Sequence, residues 1–200
     1  MTMIIHASIG AGYAGGMTRT ALAFVLVAAL ATPAAAQHGR QGHGAPATPY
    51  ASFQSREAAA LPAEEAADLR AGRGMGFALP AELNGHPGPL HALELADRLG
   101  LSAQQRALFT GQMEAMRTET IPLGEALIAA ERALDAVFRR AAMSGVPATV
   151  AEVDAAAEAA ALARGRVRAA HLRVHLATAV AMSPAQRAEY ARLRGYAPPR

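Results

Sequence analysis

His171 and His175 come nearest to chemistry in this sequence. They stand four apart in a segment of helical periodicity, so their imidazoles share one face within reach of a single ion. Two neutral ligands do not make a site. A tetrahedral centre takes about four, and the nearest further donors are His86, His91 and Glu94, some eighty residues earlier by their numbering. The candidate metal ligands are therefore His91, His171 and His175, with zinc, copper or nickel as the ion. Arg164 and Arg168 fall on the same helical face as the histidine pair, and their charge opposes a divalent cation. The competing reading makes His171 a partly buried imidazole in a helix interface beside a solvated Arg/His face. A pair titrating near the ordinary histidine pKa of about 6.5 would add charge to that face on acidification, a pH-sensing variant of the same idea.

Catalysis finds less support. Cysteine is absent, which removes thiol nucleophiles, thiolate zinc sites and disulfides together. Serine and threonine fall mostly at predicted helix caps, and none stands with a histidine and a carboxylate. Glu114 and Glu119 lie on a predicted exposed helix face, where carboxylates serve solubility and ion pairing. The run Gly72-Arg73-Gly74-Met75-Gly76 lacks the spacing and the strand that a phosphate-cradling loop needs. The sequence is thus read as that of a non-enzyme without an obligatory cofactor, a transition metal being the alternative. The net charge of +3 comes from 19 basic residues, all arginine, scattered among 16 carboxylates. No basic block is present to hold nucleic acid.

The elements that must position these residues are helical. The chain is 52% hydrophobic but only 4% aromatic, without Trp and rich in alanine, a composition suited to closely approaching helices. Residues 1–36 read as an N-terminal extension and a cleavable leader. From Met17, the true start in this reading because residues 1–16 are uncharged, Gly/Ala-rich and add nothing a leader needs, come Arg19, the apolar run Ala21 to Ala31, and Ala34-Ala35-Ala36 before Gln37. That run of about 11 residues is short against the ~20 a bilayer needs, so cleavage is expected and a permanent anchor is not. Residues 37–89 read as a flexible Gly/Pro-rich segment, with one short helix after Leu61-Pro62.

The domain proper spans residues 90–196, with 197–200 as a tail. A short helix ends at Gly100, and Ser102 with Gln105 forms a capping box for a helix of roughly 40 residues. Phe109, Met113, Met116, Thr120, Leu123, Leu127, Ala130, Leu134 and Val137 give that helix one apolar face, and Pro122 should bend it. Thr149 and Glu152 box the start of a second long helix, with Val150, Val153, Ala157, Ala160, Val167, His171, Val174 and Ala181 as its stripe against the first. Ser183 and Gln186 start a last helix that stops at Gly195. The fold expected is all-α: a long antiparallel helical hairpin with short flanking helices.

Two of these starts are similar to each other, Leu101-Ser102-Ala103-Gln104-Gln105-Arg106 and Met182-Ser183-Pro184-Ala185-Gln186-Arg187. The pair resembles the LTxxQ motif of the Spy/CpxP family and its relatives among periplasmic heavy-metal sensors. Serine replaces threonine in both copies and Met182 replaces leucine, changes that keep the cap and the apolar anchor. Leu101, Ser102, Gln105, Met182, Ser183 and Gln186 carry the likeness. It implies a periplasmic protein, a dimeric cradle as the assembly, and binding of unfolded or misfolded envelope proteins in a stress response. On the sensor side of the family it implies metal binding. There the pattern is incomplete, because Leu95 stands where a second histidine would follow His91, and Met182 follows His175 by too many residues.

Overall fold

The computed structural model describes residues 48–196. The expected leader, its cleavage point before Gln37 and the tail at 197–200 lie outside the described residues. Six α-helices follow one another: α1 (Ala63–Arg70), α2 (Leu79–Glu82), α3 (Pro89–Glu94), α4 (Ala103–Ser144), α5 (Val150–Val180) and α6 (Pro184–Arg194). A 3-10 turn at Ala51–Ser55 precedes them, and no strand occurs among the described residues. None of the described helices is long and apolar enough to cross a membrane.

The all-α hairpin is what forms. α4 has 42 residues and α5 has 31, and they run antiparallel. Their register is marked by cross-helix pairs at successive levels: Gln112 with Thr178 at 2.8 Å, Glu119 with Arg173, Glu131 with Arg164 at 3.9 Å, and Glu152 with Arg140 at 2.6 Å. All three predicted capping boxes are closed, at Ser102/Gln105, Thr149/Glu152 and Ser183/Gln186. Each satisfies two backbone N–H groups that a helix start leaves without partners. Gly145 and Gly195 end α4 and α6 at φ of 70° and 72°, the left-handed region that glycine enters without strain. α4 continues through Pro122.

The apolar stripes are buried only along part of their length. Phe109, Thr120 and Leu127 are buried on α4, and Ala160, Val167 and His171 on α5. Val150, read as part of the interface stripe, is 77% exposed. From residue 129 to 159 no side chain is buried, and the covering segment reaches no farther along α4 than the Asp135 carboxylate, which accepts from the Ala59 N–H at 2.7 Å. Two clusters form there. One joins Leu61, Leu69 and Phe77 to Leu127, Ile128 and Val167; the other joins Ala92, Leu99, Leu101 and Phe109 to Met182 and Tyr190.

The segment before Leu90, expected to be an extended lead-in, therefore contributes core. α1 docks on α4 at Gly124, where a Cβ would stand 2.6 Å from the Leu69 carbonyl oxygen, so only glycine permits the approach. Glycine and proline here do not signal solvation. They let irregular backbone lie close against the hairpin, and Leu61, Leu69 and Phe77 supply the apolar burial that holds it.

Candidate functional site

The covering segment and the two long helices enclose a cleft of about 580 Å³. α4 contributes Met113, Met116 and Arg117, α5 contributes His171 and His175, and the turns between α1 and α3 supply Gly74, Met75 and Leu79. His91, at the start of the domain, lines the same cleft. The structure thus brings together the three histidines singled out from sequence, although His91 is distant from the other two along the chain.

Each of them engages its Nδ1. His91 Nδ1 lies 2.8 Å from Glu94 Oε2 on its own helix. His171 Nδ1 is 2.9 Å from the Val167 carbonyl oxygen, one turn back. Since a carbonyl only accepts, the His171 proton sits on Nδ1, and Nε2 carries a lone pair. That nitrogen is buried and has no partner. The ring stacks on Phe77 with centroids 5.7 Å apart, and Arg164 and Arg168 each lie 6.0 Å from the other ring of that stack, Phe77. His175 Nδ1 donates to the His86 carbonyl at 2.8 Å, and its Nε2 faces Gly88, where a Cβ would lie 2.6 Å away. Burial pulls the His175 pKa below its ordinary value, against the opposing pull of the His86 carbonyl and Glu82. No group of three or more His, Cys, Asp or Glu side chains placed to hold a metal occurs among the described residues.

Sequence reasoning missed the carboxylate beside this cleft. Glu82, at the end of α2, is 7% exposed. It accepts from the Gly88 N–H at 3.2 Å, from the Tyr196 hydroxyl at 3.0 Å and from the Tyr190 hydroxyl, with Arg194 Nε at 3.9 Å and His175 Nδ1 at 3.6 Å. Burial, then the carboxylate beside it, pushes the Tyr190 phenol upward, so it remains a donor. This network fastens the turn after α2 to α5 and α6. The signal in sequence is a single acid within the Gly/Pro-rich stretch from Gly74 to Leu90, which reads equally well as a solvated loop.

The motif residues have a structural task. Leu101 and Met182 are buried in one cluster. Gln105 and Gln186 each close a capping box with Oε1 and then meet through their amide nitrogens: Gln105 Nε2 donates to Gln186 Oε1 at 2.9 Å, and Gln186 Nε2 donates to Gln105 Oε1 at 3.1 Å. Gln105 Nε2 also reaches the Ala181 carbonyl at 2.8 Å. The two copies of the motif thus bind each other where α4 begins and α5 ends.

The far end of the hairpin is a second distinctive surface. Phe138 is 54% exposed, Met143 88% and Val146 67%, and Val150 adds to them across the turn. Arg139 and Arg140 are exposed on the same stretch of α4, Arg140 paired with Glu152. No family model, curated protein or solved structure matches this chain. The likeness to the Spy/CpxP family rests on its paired motifs.

Proposed function

We propose that this protein is an envelope-located holder of non-native polypeptide, of the Spy/CpxP kind. One observation carries the reading: the end of the hairpin from residue 129 to 159 buries no side chain and presents Phe138, Met143, Val146 and Val150 to solvent. Large apolar side chains gathered at one end of a protein attract apolar segments of other chains. Methionine adapts to partners of varied shape, and the neighbouring arginines contribute stems as well as charge. Holding unfolded chains asks for adhesion without one fixed geometry, which such a surface supplies. A dimeric cradle is part of this proposal, as is the periplasm as its place of action.

The experiment is suppression of aggregation. An unrelated unfolding protein is heated or diluted from denaturant with and without near-equimolar chain, in the presence of a chelator. Suppression is expected, and the triple variant Phe138→Ser/Met143→Ser/Val150→Ser should lose most of it while keeping its helical circular dichroism. A chain that leaves aggregation unchanged would overturn the reading.

The convergence of His91, His171 and His175 on one cleft favours a second reading, a heavy-metal sensor or resistance protein. Gly88 against His175 Nε2, and the lack among the described residues of three or more side chains placed to hold a metal, count against it.

A further inference from the structure

We propose that the cleft between α4, α5 and the turns after α1 binds a phenol, its ring among Met75, Met113 and Met116 and its hydroxyl donating to Nε2 of His171. This site stands apart from the exposed end of the hairpin and does not depend on the function proposed for that end. His171 is 2% exposed, and its Nδ1–H is committed to the Val167 carbonyl at 2.9 Å. Phe77 stacks on one face of the ring and fixes its orientation. What remains is one nitrogen lone pair, buried and without a partner.

A lone acceptor defines the chemistry it selects. It favours a ligand with an O–H or N–H group and gives nothing to an ether or a carboxylate. The space around it selects the rest. About 580 Å³ lies within the range of small-molecule sites and accommodates a single aromatic ring. Three methionines line it, and thioethers pack favourably at the edges of aromatic rings. Of the charged groups at the cleft, Asp68 and Arg73 pair with each other and Glu82 is held by its tyrosines, while Arg117 has no carboxylate partner among the described residues; the preference for a neutral phenol over a phenolate rests on Nε2, which needs an O–H to accept from.

Access to Nε2 runs past a glycine-rich turn. A Cβ on Gly74 would stand 3.7 Å from His171 Nε2, and one on Gly72 would stand 2.9 Å from Thr120 Oγ1. Thr120 Oγ1 is the other buried side-chain polar atom without a partner, so both such side-chain atoms of the described residues lie beneath the same turn. Gly72 and Gly76 have φ of 67° and 85°, and Met75, a residue type that rarely enters the left-handed region, has 41°. Nε2 is buried beneath this turn, so binding at it requires Gly74 to move aside.

The phenol could be a free small molecule or the tyrosine side chain of a bound polypeptide, and the test separates these sources. The whole chain is titrated with p-cresol, with p-methylanisole, which has the same ring and no donor, and with N-acetyltyrosinamide, while long-range nitrogen–proton spectra follow the histidine rings. Saturable p-cresol binding that moves the His171 Nε2 resonance is expected, with p-methylanisole weaker by about tenfold. Tighter binding of the tyrosine amide than of p-cresol assigns the site to polypeptide; its exclusion assigns the site to free phenols. In His171→Phe, which keeps a ring but removes the lone pair, the preference for p-cresol should vanish. Should that variant fail to fold, the wild-type resonance still decides. Absence of saturation, equal binding of p-cresol and p-methylanisole, or an unmoved Nε2 resonance at saturation would each overturn the proposal.

Discussion

His175 donates its Nδ1–H to the His86 carbonyl and presses its other nitrogen against Gly88, so a second proton has no ready partner there. Glu82, His171 and His91 also bear on its charge, and burial dominates, holding the folded pKa below that of the unfolded chain. The sign follows directly. As pH falls from about 6.5, the unfolded chain protonates first, so stability declines until the folded pKa is passed and then levels off. Urea midpoints should therefore be lower at pH 5 than at pH 7.5, and His175→Gln should flatten that difference; an equal slope in the variant would show that other groups carry it. The paired glutamines give a second expectation at this scale. Single Gln105→Ala and Gln186→Ala changes each leave the partner amide short of a hydrogen bond, and a double-mutant cycle by denaturant unfolding should return a coupling of about 1 kcal/mol. Additive effects would mean that the contact across the two motifs contributes nothing beyond the capping boxes.

At the scale of elements, the docking of α1 on α4 is a matter of one missing methyl. A Cβ at Gly124 would meet Leu69 backbone, which cannot swing aside as a flexible side chain can. Gly124→Ala should cost about 1–3 kcal/mol by forcing the helices apart. Faster amide exchange along Ala63–Arg70 would locate the loss. Gly111, on the same helix with nothing within 4 Å of a Cβ, is the control: Gly111→Ala should stabilise by about 0.5–1 kcal/mol, since alanine is the better helix former. Helix starts and stops were legible because caps are local: Ser102, Thr149 and Ser183 bond residues three positions on, and Gly145 needs only its own φ. The docking of α1 was not legible, because Gly124 and Leu69 are far apart in sequence and no periodicity links them.

For the whole molecule, the central question is whether the cleft or the exposed end of the hairpin performs the function. Calorimetric titration with zinc, copper and nickel, repeated on His171→Ala/His175→Ala, separates a metal sensor from a polypeptide holder. No saturable binding is expected, and unchanged aggregation suppression in chelator should accompany it. Micromolar or tighter binding lost in the double variant would transfer the function to the cleft.

The sequence by itself determined the two long helices, the last helix, their caps and the hairpin, but not α2; the former depend on spacings of three and four residues and on single backbone conformations. It also placed His171 in the interface register, where the ring proves to be buried. Only the tertiary structure decided which parts of the apolar stripes are covered, why Val150 and Phe138 are not, and that the segment before Leu90 closes a cleft over His91, His171 and His175. Burial and the pairing of Glu82 with Tyr190 and Tyr196 are properties of groups that meet across more than a hundred residues. Local pattern carries no trace of such meetings, because they are fixed by how the chain packs on itself.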